Sequence, residues 1–185
     1  MTEADLDKLV SQANGDDTTA QSVLWDALST VDDPDGLLRL AERHYGSEVA
    51  LLLLRRAVQL VPTNADALAS LAESYAIQDD CRSAKSLAEQ ALRLNGRQVL
   101  ARYVLLVCAE DASSKLTIAD EILTADPTYY SAIRAKAEAL VALRRKEDGL
   151  SVLRNYIDSL EQDSDSKSHE LAAARATLRH LANTK

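Results

Sequence analysis

Histidine, cysteine and paired carboxylates most often carry catalysis or hold metals, and here they are sparse and scattered. The three histidines are His44, His169 and His180. No two stand four apart with a Glu between them, the spacing that sets two imidazoles on one helical face to bind zinc. Cys81 and Cys108 lie 27 residues apart, in no CxxC and with no His at ligand spacing. Cys81 reads as a loop residue and Cys108 falls in an apolar helical run, so free thiols are expected. Carboxylates abound, but none pairs with a His or a second carboxylate in a general acid–base pattern. Only five glycines occur, none adjacent, so no Gly-rich phosphate cradle exists, and no Gly-x-Ser-x-Gly elbow appears. These residues predict no enzyme, no metal and no cofactor.

Two further features could carry binding. Arg144, Arg145 and Lys146 form the one basic run. It follows a helical pattern, where cations suit a helix C-terminus, and reads as a solvated turn rather than an anion site. Trp25, the sole tryptophan, adjoins Leu24 and reads as an anchor at the edge of the core rather than a ligand platform.

The elements that position these residues follow from composition and periodicity. Of the 185 residues 46% are apolar but only 4% aromatic, with no Phe. A core of Leu, Ala, Val and Ile suits closely approaching helices, and five Gly with three Pro are too few for a turn-rich sheet protein. Net charge is −8, with 29 acidic against 21 basic residues, which argues against nucleic acid and anionic membranes as partners. The longest apolar stretch, Tyr103 to Ala109, is too short to span a bilayer. The acidic start MTEADLDKLV lacks the marks of a secretory signal, so a soluble, cytoplasmic chain is expected.

The pattern repeats. From Ala65 to Gly96, Leu68, Leu71, Ala72 and Tyr75 form one helical face, Asp79 and Asp80 interrupt it, and Ala84, Leu87, Ala88, Ala91, Leu92 and Leu94 form a second. That is a helical hairpin. Its late small or apolar position recurs at Ala27, Ala57, Ala91, Ile122 and Tyr156, in steps of 30, 34, 31 and 34 residues. The early position, at Ala20, Ala50, Ala84, Lys115 and Gly149, moves by the same steps. Closing positions fall at Pro62, Gly96, Pro127 and Glu161.

On these residues the chain resembles the tetratricopeptide-repeat (TPR) family, whose unit is about 34 residues. The other first helices match through Leu6, Leu9, Val10 and Ala13; Leu37, Leu40, Ala41 and His44; Leu105, Leu106 and Ala109; and Ile133, Ala137 and Leu140. His44 thus takes the place of Tyr75 or Leu140 and reads as a packed or edge histidine. Lys115 and Lys136 depart from the small residue and the Leu usual at their positions. The resemblance covers about residues 3–161 and implies an all-α, right-handed solenoid of stacked antiparallel hairpins. The units are 3–34, 35–64, 65–98, 99–129 and 130–161. A C-terminal capping helix is expected over 166–183, striped by Leu171, Ala174, Leu178 and Leu181, after a polar linker from Glu161 to Ser168.

The resemblance also implies that the first helix of each hairpin lines a concave groove for a peptide or partner helix. Carried onto this sequence, the groove would hold Asp35, Leu38, Glu42 and Tyr45, then Asp66, Ala69, Glu73, Ala76 and Ile77. Leu100, Tyr103, Val107 and Glu110 follow, and then Ser131, Arg134, Glu138, Val141 and Ala142; Asp7 and Ser11 begin the series. Seven of these are acidic, with Arg134 the one cation. The Lys, Arg and Asn cluster with which some family members grip acidic chaperone tails is missing, so a basic, apolar segment of a protein partner is expected. The function implied is an adaptor or assembly chaperone. The alternatives are a self-associating homo-oligomeric scaffold and a regulatory subunit of an enzyme complex.

Overall fold

The structure is a computed structural model that describes residues 3–13, 18–162 and 168–184. Among these residues all regular structure is helical. The chain divides into two compact units, Met1–Val104 and Leu105–Lys185.

In the first unit the helices are α1 (Glu3–Ala13), α2 (Thr18–Leu28), α3 (Pro34–Arg43), α4 (Glu48–Leu60), α5 (Ala65–Ile77) and α6 (Cys81–Leu94). The helix α7 (Val99–Val107) runs across the boundary between the units. Most starts are written in the sequence as capping side chains. Asp33, followed by Pro34 in the first turn, accepts from the Gly36 N–H at 2.9 Å. Ser47 accepts from Ala50, Asn64 from Asp66 and Ala67, and Asp80 from Ser83. Each cap satisfies a backbone donor that has no partner inside its own helix.

Hairpins form where α3 packs on α4 and α5 on α6, and α4 then packs on α5. Leu24, Leu28, Leu37, Leu40 and Leu53 are fully buried in the resulting core, with Ala50 and Ala57 admitting close approach between helices. The turns inside these hairpins each hold one residue in the left-handed region, Gly46 at φ 79° and Asp79 at φ 60°. After Asp79 the Asp80 N–H reaches back to the Tyr75 carbonyl at 3.0 Å, closing α5. Arg56 of α4 fastens the loop after α2. Its guanidinium donates to the Ser29 carbonyl at 3.0 Å, to the Val31 carbonyl at 3.0 and 3.2 Å, and to Asp32 at 3.4 Å.

The second unit holds α8 (Ala112–Ala125), α9 (Tyr130–Ala142), α10 (Lys146–Gln162) and α11 (Ser168–Asn183). Consecutive helices pack on each other, and α11 also touches α9. Leu153, Ile157, Ala174 and Leu181 are buried between α10 and α11, so the stripe read from the sequence covers the end of this unit. Tyr130 and Tyr156 stack with ring centroids 5.8 Å apart. The Tyr156 hydroxyl donates to Glu170 at 2.8 Å and Tyr130 meets Thr177 at 3.1 Å, tying α9 and α10 to α11. Burial, and then the Glu170 carboxylate, hold the Tyr156 phenol well above its ordinary value.

Several sequence expectations are revised. Neither cysteine is a free thiol: Cys81, the first residue of α6 rather than a loop residue, and Cys108 are both disulfide-bonded. Sequence separation carries no information about such a bond, which depends on spatial approach. Arg144 and Arg145 are exposed at the turn before α10, in line with the sequence reading of a solvated turn, and Lys146 is half-buried. Lys146 donates to the Ala182 and Thr184 carbonyls at 2.7 and 2.6 Å, satisfying the end of α11, and Arg145 pairs with Asp148 at 2.8 Å. Arg144 takes a left-handed φ of 63°, and the Arg145 N–H closes α9 on the Leu140 carbonyl at 2.8 Å. Lys136, standing where Leu is usual, pairs with Asp120 of α8 at 2.6 Å. Most of the expected linker, residues 163–167, lies outside the described residues, as does the side chain of Ala20.

Candidate interaction site

A cavity of about 210 Å³ opens in the first unit between α3 and α5. Leu38 and Glu42 reach it from α3, Tyr45 from the turn after α3, Asp66 and Glu73 from α5, and Leu100 from α7. Periodicity explains the grouping. Residues 38 and 42 stand four apart on α3, and 66, 70, 73 and 74 share one face of α5, so two helical faces meet edge to edge.

The floor is apolar and the rim acidic. Ala41, Ala50 and Leu54, all buried, line the cavity together with half-buried Leu38 and Leu100. Glu42, Asp66 and Glu73 supply three carboxylates, and no Lys or Arg is among the lining residues. Tyr45 is 62% exposed, and its hydroxyl donates to Glu73 at 2.9 Å across the mouth. Asp66 accepts from the side-chain amide of Gln98. A small apolar hollow rimmed by carboxylates can seat an aliphatic or aromatic side chain beside an ammonium or guanidinium.

The other residues expected in the groove are placed differently. Ala69 is fully buried and does not line the cavity; Ser70 occupies the rim, with buried Ser74 beside it. The substitution amounts to a small rotation of α5 about its axis. The pairing of Ser70 with Asp66 and Ser74 at four-residue spacing was the available sequence signal. Ala76 is half-buried, while Asp35 and Ile77 are exposed at the start of α3 and the end of α5. Tyr103 is half-buried on α7, and none of these four lines the cavity. Asp7 faces α3, with Arg43 at 3.4 Å and His44 at 3.8 Å, so His44 is an edge residue beside a carboxylate. Ser11 donates to the Asp7 carbonyl at 2.9 Å.

In the second unit, Val107 and Glu110 are exposed. Arg134, Glu138 and Ala142 are exposed on α9, where Ser131 is half-buried. Val141 packs within the α9–α10 hairpin, against its buried cluster and close to Gly149. Among the described residues no group of three or more His, Cys, Asp or Glu could hold a metal ion. No helix among them is long and apolar enough to cross a membrane.

The hairpin architecture is shared with solved structures. TTC0263, a thermophilic TPR protein in Thermus thermophilus, superposes with a TM-score of 0.65 at 17% identity, covering 80% of this chain and 81% of that one. The chain has the tetratricopeptide-repeat fold. Two crystal structures of MamA superpose on this TPR chain with TM-scores of 0.62 and 0.63, at 16% and 15% identity. They cover 75% and 86% of this chain and 88% and 96% of their own. In sequence the chain is 31% identical over 126 residues to human anaphase-promoting complex subunit 7, a match covering 66% of this chain and 22% of that protein. The mouse subunit is 30% identical over the same length. The chain thus spans about a fifth of the length of the curated relatives it matches. No protein-family model matches it.

Proposed function

We propose that this chain is a non-catalytic protein-interaction module, an adaptor or assembly chaperone, that seats a basic, apolar segment of a protein partner in the α3–α5 cavity. The observation that carries the reading is the pairing of an apolar floor at Leu38, Leu54 and Leu100 with a carboxylate rim at Glu42, Asp66 and Glu73. An apolar anchor would supply most of the binding energy, and the carboxylates would speed encounter with cationic segments and reject acidic ones. The exposed Asp35 and Ile77 would extend this preference along a bound segment. Similarity to a subunit of the anaphase-promoting complex supports reading the chain as one component of a larger protein assembly.

The test is a peptide titration followed by fluorescence anisotropy. Peptides with Lys or Arg on either side of a Leu or Phe should bind, and the same peptides with Glu in place of the cations should not. Glu42→Lys with Glu73→Lys should abolish binding while helicity is retained. Equal binding of the acidic peptides, or unchanged binding by the double variant, would sink the cavity assignment.

A cytoplasmic setting belongs to the same proposal, and the state of Cys81 and Cys108 tests it. Cytosolic thiols are kept reduced. Because both cysteines are disulfide-bonded in the structure, a cytoplasmic setting requires them to be reduced in the cell. Protein taken from its native compartment and alkylated without reduction should react at both, and reaction at neither refutes that setting.

A further inference from the structure

We infer that the cleft between α4 and α6 in the first unit is a second docking site, which takes a segment of a partner protein bearing carboxylates around an apolar anchor. The cleft has a volume of about 440 Å³. Arg55 of α4 and Arg82 of α6 stand on its two walls, with the hydroxyls of Ser83 and Ser86 between them and Leu71 and Tyr75 of α5 in its floor.

The charge of this cleft is the reverse of the α3–α5 cavity. Among the described residues no Asp or Glu lines it, in a chain that carries 29 acidic residues against 21 basic ones. The neighbouring carboxylate at the start of α6, Asp80, is directed to its own helix, where it accepts from the Ser83 N–H at 3.1 Å. Along α6, Arg82, Ser86, Gln90 and Arg93 are exposed at helical spacing, and beyond the cleft the exposed Glu89 stands one turn before Arg93, so the cationic character is local to the cleft. Each wall guanidinium presents a planar fork of donors suited to a carboxylate, and Ser and Gln side chains add donors for its remaining oxygen lone pairs. The apolar floor supplies a seat for one anchor. An acidic segment with a Leu or Phe at its centre satisfies both features, whereas a basic segment would set cation against cation.

The two sites are separable because they use different sides of α5. Asp66, Ser70 and Glu73 face the acidic cavity, whereas Leu71 and Tyr75, about halfway round the helix, face the basic cleft. One unit can therefore hold two segments of opposite charge at once, which is the requirement for bridging two partners.

The cleft also contains its own reporter. Arg55 sits over the ring of Trp25, 5.9 Å from its centroid, and Trp25 is the only tryptophan in the chain. A carboxylate that recruits Arg55 changes the cation beside the indole and so its emission.

The experiment uses the full chain and three synthetic peptides of one length: Leu and Phe flanked by Glu and Asp, the Gln and Asn analogue, and the Lys analogue. The acidic peptide should bind saturably and alter Trp25 emission, with the amide analogue at least tenfold weaker and the Lys analogue leaving the emission unchanged. Arg55→Glu with Arg82→Glu should weaken the acidic peptide at least tenfold, and Arg55→Gln with Arg82→Gln provides the same comparison with less disturbance of folding. Glu42→Lys with Glu73→Lys should leave it unaffected, so failure here and failure of the α3–α5 cavity are read separately. The inference is overturned by no saturable binding, by equal affinity in the Arg55 and Arg82 variants, or by loss of binding in Glu42→Lys with Glu73→Lys. A single-stranded RNA of mixed sequence binding as tightly as the acidic peptide would overturn it too, marking a general polyanion surface.

Discussion

Replacing Gly149 by Ala tests whether the α9–α10 hairpin is as close as it is described. Gly149 is buried in the first turn of α10, and a Cβ there would lie 2.7 Å from the Ala137 carbonyl oxygen and 3.2 Å from the Val141 methyl. In an open helix the change to Ala would stabilise by about 1 kcal/mol, through propensity alone. Here the nearer obstacle is backbone, which cannot swing aside as a side chain can, so α10 must move off α9 along the contact. Overpacking of this kind costs about 1–3 kcal/mol, and a backbone obstacle belongs at the upper end of that range. The net expectation is a loss of about 1–2 kcal/mol, or roughly 2–8 °C in melting temperature for a chain of this size. Thermal and urea unfolding followed by far-ultraviolet circular dichroism measure it. Gly96→Ala is the control, since the nearest obstacle to a Cβ there is the Leu92 carbonyl oxygen at 3.9 Å. If Gly149→Ala matches or exceeds the parent in stability, the close approach of α9 and α10 is refuted and the propensity term wins.

Three other outcomes are expected. Arg56→Ala should lower the urea midpoint by the equivalent of about 1.5–3 kcal/mol, because charge-assisted bonds to the loop after α2 are lost, and Arg56→Lys should restore only part since it lacks the fork. The hydroxyl and backbone N–H of Ser83 hold the Asp80 carboxyl below its ordinary value, and those of Ser114 do the same for Asp111. With the folded values depressed, this stabilisation is present above the ordinary carboxylate range and lost as pH falls through the lowered values. Melts at neutral and acid pH should therefore show a shallower acid slope for Asp80→Asn with Asp111→Asn than for the parent. Arg144→Gly should raise the melting temperature, by relieving a left-handed φ worth about 1–2 kcal/mol in a residue with a Cβ; a fall would show that Arg144 has a role beyond the turn.

Legibility differed between fold and site for a physical reason. The apolar faces at Leu68, Leu71 and Ala72, and the caps at Asp33, Ser47, Asn64 and Asp80, are local features governed by helix periodicity and unpaired N–H groups, so the all-helical hairpin pattern could be read directly. The Gly46 and Asp79 turns carry residues suited to a left-handed φ, whereas the turn at Arg144, also read as a turn from the sequence, does not. In the site, charge was legible and orientation was not. Glu42 and Glu73 line the cavity together with Ser70, whereas Ala69 is buried, because the angle at which α5 faces the cavity is decided by what packs against it.

What the sequence by itself determined about this protein is the repeat period, the helical class, the acidic balance and where helices begin, since each depends on residues within a turn or two of one another. Only the tertiary structure decided which carboxylates meet around an apolar floor, and that Arg55 and Arg82 share a cleft. It also decided that Arg56 and Lys146, alike in sequence to any surface cation, close the ends of α2 and α11. These depend on the approach of helices distant along the chain, and packing in three dimensions sets that approach.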